Sequence, residues 1–152
     1  MLNARALGID VSLQNRTELE RIGLEVRDIV SSTVALHHPT DPSANRVLQV
    51  QLFDPEPRTD GVDCRCVAIF GPGGFDLTPS GTSTCAHMAA KRAKGDMSIG
   101  DRFVMESVTG AVIQGSIAAD TWLGGVDAII PEIAGTATVL RTLTILNQPS
   151  AR

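Results

Sequence analysis

The stretch Gly71-Pro72-Gly73-Gly74-Phe75-Asp76-Leu77-Thr78-Pro79-Ser80-Gly81-Thr82-Ser83-Thr84-Cys85-Ala86-His87-Met88-Ala89-Ala90 decides the reading of this chain. A β-branched and apolar run, Cys64 to Phe70, leads into it and predicts a strand. Glycines and Pro72 then break the strand, and the alanine-rich run from Ser83 to Lys94 predicts a helix beginning at about Ser80. Gly95 is the expected C-terminal stop, with Lys91, Arg92 and Lys94 placed favourably for the negative end of the helix dipole. The first turn of a helix offers free N–H groups and a positive dipole end. Gly81 gives a ligand close access to the backbone, and Thr82, Ser83 and Thr84 add hydroxyls. Such a turn suits a carboxylate or a phosphate. Asp76 at its mouth can pair with a cation beside the bound anion, which is the combination an amino acid requires. The same residues also read as an ordinary capped helix, with Ser80 or Thr78 as N-cap. The stretch lacks the Gly-Lys-Ser/Thr ending of a phosphate loop. Its glycine spacing is not that of a dinucleotide fingerprint, and no clean βαβ unit is expected around it.

Working outward, Leu19, Ile22, Val26 and Ile29 recur at helical spacing and predict a helix from Asn15 to Ser32. Thr17-x-x-Glu20 fits a capping box at its start. Loops are expected from His37 to Asn45 and from Asp54 to Asp63. Val47 to Phe53 reads as a half-buried strand, with Leu48, Val50 and Leu52 on one face and Gln49 and Gln51 on the other. Phe103 to Val108 and Ala111 to Ile117 predict a hairpin across Thr109-Gly110. A loop containing Gly124-Gly125 follows, then a last strand from Ala137 to Leu146 and a loose tail from Pro149. The order predicts an α+β fold with a mixed or largely antiparallel sheet, residues 1–152 forming one domain.

The composition narrows the function classes. The chain has 152 residues, 43% hydrophobic and 20% charged, with a net charge of -4. An acidic balance with scattered basic residues argues against general nucleic-acid binding. No apolar run approaches the ~20 residues of a membrane span, and the first residues lack a signal-peptide core. Three cysteines, Cys64, Cys66 and Cys85, suggest reduced thiols in a cytoplasmic protein. Cys64-x-Cys66 has the wrong spacer for zinc and no matching pair follows, so no metal site is expected and both thiols should share one buried strand face.

Asp76-Leu77-Thr78-Pro79-Ser80-Gly81-Thr82-Ser83-Thr84-Cys85-Ala86 resembles the proline racemase family signature Asp-Arg-Ser-Pro-Cys-Gly-Thr-Gly-Thr-Ser-Ala. Ala93-Lys94-Gly95-Asp96, Phe103-Val104-Met105-Glu106-Ser107 and Pro131-Glu132-Ile133-Ala134-Gly135-Thr136-Ala137 resemble further family motifs in the family's order, and His38-Pro39 fits a recurrent pair after the first helix. The resemblance implies a diaminopimelate epimerase-like domain, a curved sheet around a central helix, corresponding to the C-terminal half of a two-domain enzyme. It implies a cofactor-independent isomerase acting at the Cα–H of proline or hydroxyproline, with one base from each domain. Carried over, Asp76 holds the ring nitrogen, Gly81 and Thr82 hold the carboxylate, and Ser80 occupies the second catalytic position. That position carries cysteine in the family signature. A serine hydroxyl ionises far less readily than a thiol and needs its own base. Relatives with threonine there resemble trans-3-hydroxy-L-proline dehydratases, which makes a lyase the alternative; a non-catalytic imino-acid or carboxylate-binding module or an inactive fragment is the other. The family's first thiol motif, Met-x-Cys-Gly-His, does not occur in this sequence. The expected partner is therefore the missing N-terminal domain or a second copy of the chain. Cys85 is expected to point into the core or away from substrate, His87 to lie on the helix flank, and His37 and His38 to serve the loop.

Overall fold

The computed structural model describes residues 1–57, 59–139 and 141–143. Nine principal elements follow in chain order: β1 (Leu2–Asn3), α1 (Arg16–Thr33), β2 (Val50–Asp54), β3 (Cys64–Gly71), β4 (Gly74–Phe75), α2 (Gly81–Lys94), β5 (Arg102–Ser107), β6 (Val112–Leu123) and β7 (Val126–Gly135). The strands form one open sheet in the order β1-β2-β3-β5-β6-β7, with β4 paired to β3. β2 runs antiparallel to β3, while β3 and β5 are parallel neighbours in the register Cys64↔Met105 to Cys66↔Ser107. The α+β expectation with a mixed sheet therefore holds. The connection from β3 to β5 carries α2, so a parallel crossover does surround the glycine-rich turn, contrary to expectation.

β3 is the spine because both of its faces are covered, as its nearly continuous apolar sequence requires. Cys64 and Cys66 face α2, in a cluster with Met88, Met97, Phe103, Met105 and Ile117. Val67 and Ile69 face the opposite side, in a cluster with Leu19 of α1, Leu52, Phe75 and Val108. Two helices on two faces thus divide one alternating strand between two cores. Each fully buried aliphatic side chain contributes about 2 kcal/mol. α1 approaches closest at Gly23, where an added Cβ would lie 2.7 Å from Ile69 Cγ1 and 2.8 Å from its Cβ.

α1 occupies the predicted range to within a residue at each end. Its capping box does not form: the cap position is Asn15, and the Glu20 carboxylate accepts instead from the Gly73 N–H of the β3–β4 turn. β2 departs more. Leu48 is exposed and Gln51 is buried, because α2 covers the face that alternation assigns to solvent. β6 continues six residues past the predicted Ile117 and turns back through Gly124 and Gly125, both at positive φ, into β7. Two consecutive left-handed residues make the tight hairpin turn that suits strand twist. β7 contains Pro131, tolerated because this strand lies at the sheet edge. The predicted last strand is displaced accordingly: residues 137–139 and 141–143 lie outside any strand. The rest of it, and the tail from Pro149, fall outside the described residues.

A register shift between Ile117 and Ala119 re-aims the far half of β6. Ile117 packs in the α2 core, and beyond the shift Asp120 meets Arg92 of α2 through two hydrogen bonds of 2.9 and 2.6 Å. That exposed pair is screened by solvent and adds little to stability. It marks where the hairpin arm bends along the helix.

Candidate active site at the N-terminus of α2

α2 begins where β4 ends. The Asp76 N–H donates to the Ala68 carbonyl at 2.9 Å, which closes the β3–β4 turn against β3. Asp76 Oδ1 accepts from the Thr78 N–H at 2.9 Å and from Thr78 Oγ1 at 2.8 Å. This side-chain turn aims the chain into Pro79 and Ser80. Ser80 is the N-cap, as one of the two sequence readings has it: its extended backbone (φ -81°, ψ 118°) lets Oγ accept from the Ser83 N–H at 3.3 Å. The Ser80 carbonyl takes both the Thr84 N–H and the Thr84 Oγ1 hydroxyl, each at 2.9 Å. The N–H groups of Gly81 and Thr82 find no acceptor among the described residues, as expected of a first helical turn. Gly95 closes the helix at φ 80° with its N–H on the Arg92 carbonyl.

Around this turn lies a polar layer that sequence reasoning missed. Gln49 Nε2 donates to Ser83 Oγ at 3.0 Å. Gln51, 3% exposed, donates through Nε2 to Met105 Sδ at 3.3 Å, as does Thr84 Oγ1 at the same distance. Gln51 Oε1 has no hydrogen-bond partner among the described residues. Cys66 sits directly below. Burial pushes its thiol up to about 11, against the opposing pull of hydrogen bonds from the Gln51 side chain and the Ser80 backbone, and the Asp76 charge adds to the rise. Cys66 is therefore a neutral thiol at neutral pH and supplies no base to Ser80. The signal for this layer was present in Gln49-x-Gln51, at the start of β2, and in Cys64-x-Cys66 of the neighbouring β3. It reads as functional only once α2 is known to cover that face.

The loop residue Leu77, which stands where the signature has arginine, is exposed, and its carbonyl accepts from Thr109 Oγ1 at 2.8 Å. The turn between β5 and β6 thereby pins the mouth of the site. Ile113 Cδ1 is the nearest side-chain atom beyond the helix, 3.9 Å from where a Cβ on Gly81 would stand, so the space above Gly81 is open. Asp76, Ser80, Gly81 and Thr82 are thus brought to one turn and its entry loop.

The remaining sequence candidates fall elsewhere. Cys85 packs against the α2 core cluster, and burial raises its thiol. His38 Nδ1 accepts from the Thr40 and Asp41 N–H groups, a loop-ordering role as expected. His87 lies on a flank of α2 that is buried: it is 7% exposed, edge-on to Phe53 and stacked on Phe103. Cys64 and Cys66 share one buried face, also as expected, and all three cysteines are free. Among the described residues no helix is long and apolar enough to cross a membrane.

The fold has counterparts among known proteins. The family model described as proline racemase matches residues 1–151. The chain is 35% identical to the proline racemase of Acetoanaerobium sticklandii, covering 91% of this chain and 41% of that protein. It is 32% identical to a 4-hydroxyproline 2-epimerase of Cereibacter sphaeroides, covering 93% and 42%. A hydroxyproline epimerase from Agrobacterium vitis, solved with bound trans-4-hydroxy-L-proline, superposes with a TM-score of 0.81 at 28% identity over 88% of this chain and 38% of that one. The fold is accordingly that of the diaminopimelate epimerase-like domains, with α2 as the central helix of an open sheet. The chain spans about two-fifths of the length of these relatives. With the family model matched from end to end, the chain belongs to the proline racemase family.

Proposed function

We propose that this chain is one domain of a cofactor-independent racemase or epimerase acting at the Cα–H of proline or hydroxyproline. It works in a reducing, cytoplasmic setting and completes its site with a second domain or a second copy of the chain. The observation that carries the reading is the open first turn of α2, where the Gly81 and Thr82 N–H groups stand free one to six residues from Asp76 and Ser80 in sequence. In this reading those N–H groups hold the substrate carboxylate and stabilise the charge that builds on it as the Cα proton leaves. The carboxylate of Asp76 binds the ring nitrogen. Ser80 faces Cα in the second catalytic position.

Ser80 favours a second reading, a trans-3-hydroxy-L-proline dehydratase. Its Oγ accepts the Ser83 N–H, so its own proton is free to point outward, and no basic group hydrogen-bonds to it among the described residues. It is built as a donor rather than as a base. A dehydratase needs one base at Cα and an acid for the departing 3-hydroxyl, whereas a racemase needs a base on each face.

The experiment is incubation of the chain, alone and with a separately expressed partner domain, with L-proline, trans-4-hydroxy-L-proline and trans-3-hydroxy-L-proline in deuterated water, followed by NMR at Cα. Deuterium incorporation with inversion supports the isomerase. Loss of the 3-hydroxy compound alone supports the lyase. Saturable binding without exchange under both conditions leaves a carboxylate-binding module or an inactive fragment and overturns the enzyme reading. Asp76→Ala should abolish binding of all three; unchanged affinity removes Asp76 from the site.

A further inference from the structure

The entry loop from Asp76 to Ser80 is held at its two ends and at one point between them. At the start, the Asp76 N–H lies on the Ala68 carbonyl of β3; at the end, Ser80 is bound into α2 as its N-cap. The bonds from Thr78 to Asp76 Oδ1 stay within the loop and do not tie it to the rest of the fold. Pro79 has no N–H to donate. Among the described residues, the one hydrogen bond that reaches residues 77–79 from elsewhere in the chain runs from Thr109 Oγ1 to the Leu77 carbonyl, at 2.8 Å.

The direction of that bond is forced, and it fixes the next one. A carbonyl only accepts, so the Thr109 hydroxyl gives its single hydrogen to Leu77. The Ser107 and Thr109 hydroxyls lie 2.8 Å apart, and with the Thr109 hydrogen already placed, Ser107 is the donor between them. Ser107 Oγ accepts the Thr109 N–H in return, at 3.2 Å. Ser107 is fully buried, and a buried hydroxyl left without an acceptor is costly, so Ser107 favours the Thr109 orientation that aims at Leu77. The turn that carries Thr109 is itself held: the Ser107 N–H donates to the Ala111 carbonyl at 2.8 Å and the Gly110 N–H to the Ser107 carbonyl at 3.0 Å. Val108, between them, belongs to the same core cluster as Phe75. A hydroxyl relay from Ser107 through Thr109 thus anchors the loop to the buried end of β5.

The anchor bears on Asp76 because the two oxygens of that carboxylate differ. Oδ1 takes both bonds from Thr78, while Oδ2 accepts no hydrogen bond among the described residues and is left for a cation. How far Oδ2 stands from the open N–H groups of Gly81 and Thr82 depends on the course of residues 77–79. We propose that, with this turn as the substrate site, Thr109 is a positioning residue: by holding the Leu77 carbonyl it sets the Asp76 carboxylate against the first turn of α2, so that the nitrogen and the carboxylate of one imino acid are met together. Thr109 itself touches no substrate.

Thr109→Val removes the hydroxyl and keeps the branched shape; Thr109→Ser keeps the hydroxyl. Amide hydrogen exchange, read by NMR on the 152-residue chain, reports the loop without any ligand. Thr109→Val should speed exchange at Asp76 and Thr78 about fivefold and leave Gly95, at the far end of α2, at its wild-type rate. Thr109→Ser should return both loop amides close to wild type. Unchanged exchange at Asp76 and Thr78, or an equal acceleration at Gly95, overturns the positioning role whatever the chain binds. L-proline and cyclopentanecarboxylate are then titrated in turn; both carry a five-membered ring and a carboxylate, and L-proline alone has the ring nitrogen. Thr109→Val should weaken L-proline about fivefold and leave cyclopentanecarboxylate within about twofold, with Thr109→Ser restoring L-proline. Equal losses for the two compounds would make Thr109 a general structural support and overturn the assignment. A wild-type chain that binds neither compound overturns the site reading itself, and the role in recognition with it, a failure told apart from the first by the exchange rates.

Discussion

Acid should unfold this protein partly through one imidazole. In the fold, burial between Phe53 and Phe103 drives His87 from its ordinary 6.5 down to about 4, with the nearby N-terminal ammonium and Lys91 acting in the same direction. The unfolded chain therefore binds this proton more readily than the folded one, and stability rises with pH wherever that holds. The contribution of neutral His87 is fully present above about pH 6.5, declines as the pH falls towards 4, and is gone below it. The full difference corresponds to about 3 kcal/mol. Between about pH 7.5 and about pH 5, linkage gives a loss of about 2 kcal/mol from this residue. Urea denaturation at those two pH values measures it, with His87→Phe as the reference because phenylalanine fits an aromatic slot and does not titrate. The wild-type chain should lose about 2 kcal/mol more than the variant over that interval. Parallel pH dependences in the two proteins would refute the buried, neutral imidazole. Direct titration of the ring by NMR checks the same point without unfolding.

Three further outcomes are expected. Gly23→Ala gains helix propensity of about 1 kcal/mol but drives a methyl against Ile69 Cβ and Cγ1, so the net change should be a destabilisation of about 1–2 kcal/mol by thermal or urea unfolding; a more stable variant would show that α1 can shift away from β3. Ser80→Ala removes the N-cap acceptor for Ser83 N–H and should cost about 1 kcal/mol whatever happens to activity, whereas Ser80→Asn should restore most of it. A disulfide-exchange reagent should modify Cys85 well before Cys64 and Cys66 in the native chain, since those two are almost fully buried and their thiols are raised more strongly; simultaneous loss of all three thiols would indicate global opening.

The two helices were legible because each announces itself locally. α1 carries an apolar stripe, and α2 has a breaker-rich entry, a capping serine and a terminal glycine. The strands were legible where a continuous apolar run marks a strand covered on both faces, as in β3, or where alternation coincides with a single buried face. β2 fails that condition: Gln51 lies under α2, so a polar residue is buried by a helix some thirty residues later in the chain, and no local pattern predicts it. β7 was hidden by Pro131, which argues against a strand unless that strand is known to be an edge. The site divided in the same way. Asp76, Ser80, Gly81 and Thr82 are contiguous in sequence and meet at one turn. Gln49, Cys66 and Thr109 come to that turn from other strands and turns, through tertiary contacts that single-sequence periodicity does not carry. The burial of His87 was not legible because helical phase alone does not say how far the neighbouring strands curl around the helix; Phe53 and Phe103, from β2 and β5, close over it.

The parallel pairing of β3 with β5 also bears on the order in which the chain assembles. Its partners, Cys64 with Met105 through Cys66 with Ser107, are about forty residues apart, and the whole of α2 lies between them. Closing so long a loop costs chain entropy before the contacts are made. The β5–β6–β7 meander, by contrast, joins neighbours through short turns and can form early. Folding should then end with a clasp: β3 slides in beside β5 with α2 already seated, and Cys66 comes to rest under Ser80 in that final step. The first turn of α2 would be among the last parts of the molecule to be ordered, and a nascent or partly unfolded chain would expose the Cys64–Cys66 pair to oxidants that the finished fold excludes.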